Sequence, residues 1–145
     1  MAIYYEVIPN SLQNWVLTQQ CFWVATAPLS GQGNVNVSPK GGAYFGLIDE
    51  KTFWYQDLSG SGVETIAHLH EPGNGRITIM FNAFDGPPKI IRFWGKGEST
   101  SLLLHDALWN IVLTAVQVAY LNVTPLNMIN LLQITTSKHS PPHEA

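Results

Sequence analysis

At 145 residues the chain has the length of a single hydrophobic core and leaves little room for a second. Its formal net charge of -3, from 7 Lys+Arg against 10 Asp+Glu with no basic run, excludes the electrostatic footprint expected of a nucleic-acid binder. Only 12% of the residues are charged while 46% are hydrophobic, so much of the surface must be apolar or covered by a partner, and self-association is expected.

In chain order, Met1 to Asn10 lacks the basic, apolar and small-residue regions of a secretory signal, and a cytoplasmic location is expected. Leu12, Trp15 and Val16 form one apolar stripe after Asn10 and Ser11, either of which suits an N-cap, and predict a short helix. Cys21 to Ala27 is a continuous aromatic and β-branched run that predicts a strand buried on both faces and stopped by Pro28. Cys21 is the only cysteine, which rules out an internal disulfide and agrees with a reducing compartment. Asn34 to Ser38 alternates polar and apolar residues after a turn-rich segment, a hairpin signal. Ala43 to Ile48 and Thr52 to Tyr55, separated by Asp49-Glu50-Lys51, predict a second hairpin.

Ser59-Gly60-Ser61-Gly62 breaks the strand, and Glu64 to His70 reads as a short helix ending at Glu71-Pro72-Gly73-Asn74-Gly75. Arg76 to Phe84 sets Ile77, Ile79 and Phe81 against Arg76, Thr78 and Met80, and Lys89 to Lys96 is another aromatic strand across an Asp85-Gly86-Pro87-Pro88 turn. Beyond Glu98 the character changes: Ala107 to Ile134 carries no charge. Interrupting Asn and Gln residues, Pro125 and the lack of flanking basic clusters argue against a membrane anchor. The expected organisation is a β-barrel domain over residues 1–98 and a divergent, partly helical apolar tail over 99–145, the last ten or so residues disordered. The expected fold class is mainly β, an antiparallel split barrel with short helices, since closure removes exposed edges.

The segments Phe22-Trp23-Val24-Ala25-Thr26-Ala27, Asn34-Val35-Asn36-Val37-Ser38-Pro39-Lys40-Gly41, Trp54-Tyr55-Gln56-Asp57-Leu58-Ser59-Gly60-Ser61-Gly62-Val63-Glu64-Thr65 and Arg92-Phe93-Trp94-Gly95-Lys96-Gly97 together resemble the barrel strands of the pyridoxamine phosphate oxidase-like family, in a branch common in fungi and bacteria. The resemblance spans about Ile8 to Glu98. It implies a split barrel that dimerises, with FMN in clefts at the subunit interface, and a small-molecule substrate stacked on the flavin.

FMN requires a cradle for its phosphate, an apolar wall for its ring and hydrogen-bond partners along the ring edge. The candidate cofactor-binding residues are Asn36, Val37, Ser38, Lys40, Tyr55, Gln56, Ser61, Thr65 and Arg92, while Trp54 and Trp94 either wall a flavin or fill the core. Lys40 either lines the flavin, as the resemblance implies, or blunts a strand end, and Arg92 matches a family arginine or is a rim charge. Ser61 opens either a phosphate site or a capping box with Glu64. The family's phosphate-binding Arg-Lys pair appears here as Glu64-Thr65, and its flavin-contacting Gln as Ile90. No catalytic acid or base is identifiable, and His68, His70 and Glu71 do not have metal-ligand spacing. The expected function is an FMN-binding oxidoreductase. The alternatives are a non-catalytic flavin- or haem-binding module and a truncated or membrane-attached form with an incomplete barrel.

Overall fold

The structure, a computed structural model, describes residues 3–58, 62–102 and 111–125. Its elements are β1 (Ile3–Tyr5), α1 (Asn10–Leu17), β2 (Cys21–Thr26), β3 (Asn36–Gly41), β4 (Phe45–Leu47), β5 (Thr52–Leu58), α2 (Val63–His70), β6 (Arg76–Asn82), β7 (Lys89–Leu102) and β8 (Ile111–Pro125). All strand pairs are antiparallel. The sheet runs β3-β2-β6-β7-β8-β5-β4, with β1 added to β8.

The expected hairpins form: β4 pairs β5 with Phe45 opposite Tyr55, and β6 pairs β7 with Ile79 opposite Phe93. Period-two alternation puts Phe22, Val24, Phe53, Tyr55, Ile77, Ile79, Phe81, Ile91 and Phe93 on one face, where they are buried together. The sheet curls until its two ends share this core. Phe22 of β2 meets Phe45 of β4 at 5.1 Å and Phe53 of β5 at 5.4 Å between ring centres, both edge to face. Leu12 and Val16 of α1 plug the same core, and Lys89 at the start of β7 lies 4.9 Å from the Trp15 ring centre. Helix α2 packs Leu69 against β7 at Gly97, where an added Cβ would lie 3.1 Å from a Leu69 methyl.

Three expectations are corrected. Strand β2 is buried on one face and half-buried on the other: its outward residues Cys21, Trp23 and Ala25 are only partly covered by the described residues. Helix α2 has Gly62 as its N-cap and no side-chain cap bond, so Glu64 stands one position too early to close a capping box. Residues 111–125 of the expected helical tail form a strand, whose β-branched run Ile111-Val112-Leu113-Thr114-Ala115-Val116 finds partners on both edges. β8 lies between β7 and β5, so the sheet draws on residues beyond 98. The rest of the tail, 103–110 and 126–145, lies outside the described residues. Among the described residues no helix is long and apolar enough to cross a membrane.

A chain ended after residue 98 lacks β8 and leaves the facing edges of β7 and β5 unpaired. The expected outcome is loss of cooperative thermal unfolding, read by near-ultraviolet circular dichroism. A native-like signal with a sharp melt in the shortened chain would contradict the central position of β8. Phe22→Ala in the full chain should lower the unfolding free energy by about 3–5 kcal/mol in a urea titration.

Candidate functional site at the barrel seam

The two ends of the sheet, β3 and β4, have no ladder between them among the described residues, so the barrel has a seam. As an edge strand, β3 directs alternate main-chain groups away from β2 and into this seam. Its inward positions are Asn36, Ser38 and Lys40, paired across β2 with Thr26, Val24 and Phe22. Polar residues at an apolar phase require partners, and α2 and β5 supply them.

Asn36 Nδ2 donates to Thr65 Oγ1 on α2 at 2.8 Å and lies 3.3 Å from Ser38 Oγ. Thr65 is fully buried, so its hydroxyl fixes the helix over β3. One turn on, His68 Nδ1 is 2.9 Å from Thr26 Oγ1. Lys40 Nζ donates to both carboxylate oxygens of Asp57, at 2.8 and 2.7 Å, with the two side chains 10% and 8% exposed. This ion pair crosses from β3 to β5 and ties the seam internally. The start of α2 lies directly on it: a Cβ on Gly62 would collide with the Asp57 carboxylate.

A second polar cluster anchors the other end of α2. Glu71 Oε2 accepts the Leu29 N–H at 2.8 Å and Asn74 Nδ2 at 2.9 Å, and Asn74 also donates to the Ala27 carbonyl at 2.9 Å. The turn reaches this geometry because Gly73 and Gly75 adopt φ of 83° and 82°, placing Asn74 inward. The Leu29 amide, then Asn74, hold the Glu71 carboxyl below the usual carboxylate range.

Of the expected site residues, Asn36, Ser38, Lys40 and Thr65 meet at the seam. The side chain of Val37 turns to the outer face and is 60% exposed. Tyr55 puts its ring in the aromatic core, 5.5 Å from Phe22, and its main chain lies in register between Phe45 of β4 and Thr114 of β8. Gln56 is half-buried on the outward side of β5, its N–H donating to the Tyr44 carbonyl at 2.8 Å. Arg92 is on the outer face of β7, in register with Met80 and Asn122, so within one chain it stands across the sheet from Lys40. Ser61 lies outside the described residues. Asp57 and Thr26, which are not among the expected site residues, also lie at the seam, as does His68, which the sequence offers only as a metal ligand without the spacing for one. For Asp57 the signal was present, since an acid two residues after Tyr55 on Thr52–Leu58 falls at the inward phase of that strand.

The chain matches no protein-family model. Solved structures share the fold at low identity. A candidate pyridoxamine 5'-phosphate oxidase of Lactobacillus delbrueckii superposes with a TM-score of 0.58 at 13% identity, over 81% of this chain and 94% of that one. The FAD binding protein of Mycobacterium smegmatis does so with a TM-score of 0.54 at 8% identity, over 83% and 97%. A curled antiparallel sheet with an open seam and two short helices makes this protein a split β-barrel. The pyridoxamine 5'-phosphate oxidase family protein ustO of Aspergillus flavus is 43% identical over 100 residues, which are 68% of this chain and 39% of that protein. The chain belongs to the pyridoxamine 5'-phosphate oxidase-like family and spans about two fifths of the length of this curated relative.

The Glu71 contacts predict a pH effect. Its carboxyl titrates lower in the folded chain than in the unfolded one. The resulting stabilisation is present above the unfolded value and is lost as pH falls through the folded one. Glu71→Gln keeps an acceptor for the Leu29 amide but does not titrate, so its melting temperature should fall less steeply below the ordinary glutamate range than the wild type's. Parallel curves would show that the carboxylate is not preferentially stabilised in the folded state.

Proposed function

We propose that this chain is a flavin-binding split barrel that works as a homodimer, the flavin lying along the β3 seam beside a small-molecule substrate. The observation that carries this reading is the row Asn36, Ser38 and Thr65 beside the edge of β3 that has no ladder among the described residues: hydroxyl, amide and main-chain groups aligned next to the barrel core. Such a row suits the hydrogen-bonding edge of a planar ring and its polyol chain. Membership of the pyridoxamine 5'-phosphate oxidase-like family supports the same ligand class, as does a neighbour of the same fold described as binding FAD.

The residues fit the ring half of FMN better than its phosphate. The seam lysine is consumed by Asp57, Glu64 stands in the first turn of α2, and Arg92 faces the other side of the sheet. A bound flavin would supply hydride exchange at N5. The chain's part is to hold the ring edge and to keep one ring face against the barrel wall. An oxidoreductase acting on a small molecule is the activity proposed. The internally neutralised lysine favours, as a second reading, a module that binds flavin or haem without turnover.

The dimer is proposed on the outer face of the sheet. There Trp23, Ala25, Thr78, Met80 and Trp94 are half-buried, Val37 is 60% and Tyr4 66% exposed, and the Tyr4 and Trp94 rings stack at 6.4 Å. An apolar aromatic surface of this kind on a chain with 12% charged residues fits a second copy of itself. Glutamate at Thr78, between Ala25 and Trp94 in register, would put a charge mid-face without touching the core.

The purified chain should show flavin absorption near about 370 and 450 nm and twice the chain mass by light scattering, and Thr78→Glu should halve that mass and release the flavin. A Soret band would favour haem. A colourless monomer that takes up no added flavin would refute the proposal.

A further inference from the structure

Resting on the flavin reading, we infer that Asp57 fills from within the chain the anion position of the site. The pocket therefore selects a flavin by its ring and polyol chain and gives no preference to a 5'-phosphate. The ligand class is riboflavin-like: a flavin whose tail is neutral, or whose charged end stays in solvent.

Phosphate recognition needs cations and amide-rich backbone such as a helix start. In this seam one carboxylate takes the cation and lies against the helix start. Lys40 gives Asp57 two short bonds and is only 10% exposed, and the opening residue of α2, Gly62, is packed against the same carboxylate. The lack of a Cβ at Gly62 is what admits it.

No other described cation reaches the seam. Lys51 is exposed in the β4–β5 turn and Arg76 bonds Asn74 and the Pro28 carbonyl. Lys89 covers Trp15, Arg92 faces outward, and Lys96 is exposed on β7. Among the described residues the charges that meet at the seam are Lys40 and Asp57, which cancel, and Glu64 adds an exposed negative charge in the first turn of α2. A phosphate carrying about 1.5 to 2 negative charges would find no uncommitted cation among these residues to balance it. To reach Lys40 it would have to strand the Asp57 carboxylate in a site where it is 8% exposed.

The test compares riboflavin with FMN by fluorescence titration of the full chain and follows melting temperature against inorganic phosphate. In the wild type the two flavins should bind within about threefold of each other, and phosphate should leave the melting temperature unchanged. Asp57→Asn should shift preference toward FMN by about tenfold or more, as one charge-assisted hydrogen bond becomes available. Asp57→Ala should be destabilised and rescued by phosphate in a concentration-dependent way. The double variant Lys40→Met with Asp57→Leu removes both charges and should show neither FMN preference nor rescue.

Wild-type preference for FMN of tenfold or more, or a wild-type melting temperature that rises with phosphate as the Asp57→Ala value does, would overturn the inference. If neither variant at Asp57 folds, the wild-type ratio still decides. Selective phosphate rescue of Asp57→Ala, with no flavin bound by any form, would uphold the internal anion and reject the flavin reading.

Discussion

At the seam, where the described residues form no ladder between the sheet ends β3 and β4, a buried charge pair ties β3 to β5, and the remaining geometry follows from that tie. A curled sheet whose ends do not pair leaves an edge strand and a gap into the core. Lys40 and Asp57 bridge the gap at 2.7 Å with both side chains nearly withdrawn from water. Removing one partner from such a pair costs about 3–5 kcal/mol, because the survivor is left charged and buried. The pair therefore fixes the distance between β3 and β5 more firmly than an exposed ion pair would, and α2 is set down over it through Gly62, Thr65 and Leu69.

The same alternation that builds the core creates the opposite face. Each inward aromatic on β2, β6 and β7 is flanked by outward neighbours, and those include Trp23, Met80 and Trp94 beside the single charge of Arg92. Trp23 keeps its indole N–H satisfied at Asn82 Oδ1, 2.9 Å away, which leaves an apolar ring surface presented outward with its polar handle already used. Half-burial of these outward residues and the low overall charge are what the dimer proposed above draws on.

Much of this was legible in the sequence because strand period and turn chemistry are local. The hairpins at Asp49-Glu50-Lys51 and Asp85-Gly86-Pro87-Pro88 and both helices fall where alternation and breakers place them. The strand β8 was not legible: a long uncharged run has no alternation from which to tell strand from helix, and its assignment depends on two edges distant in sequence. The capping pattern at Ser61 and Glu64 misled by a single position, since Gly62 rather than Ser61 is the N-cap of α2. For the site, the residue types on β3 and α2 pointed to the seam, but the neutralisation of Lys40 did not show. A lysine and an aspartate separated by 17 positions become partners only when the barrel curls.

That partnership links folding to the recognition proposed for the seam. A lysine inside a seam has two uses, closing the gap against a carboxylate of its own chain or gripping an anion that arrives later, and the two compete for the same nitrogen. An empty anion site would leave Lys40 buried and unpaired in the free protein, a state less stable than the observed pair. With one cation in the seam, stability without ligand and affinity for a charged tail cannot both be maximised. The Asp57 carboxylate, packed where Gly62 leaves no side chain, favours the first. Beside that pair the seam carries the polar row Asn36, Ser38 and Thr65 along β3, groups that offer hydrogen bonding and carry no net charge.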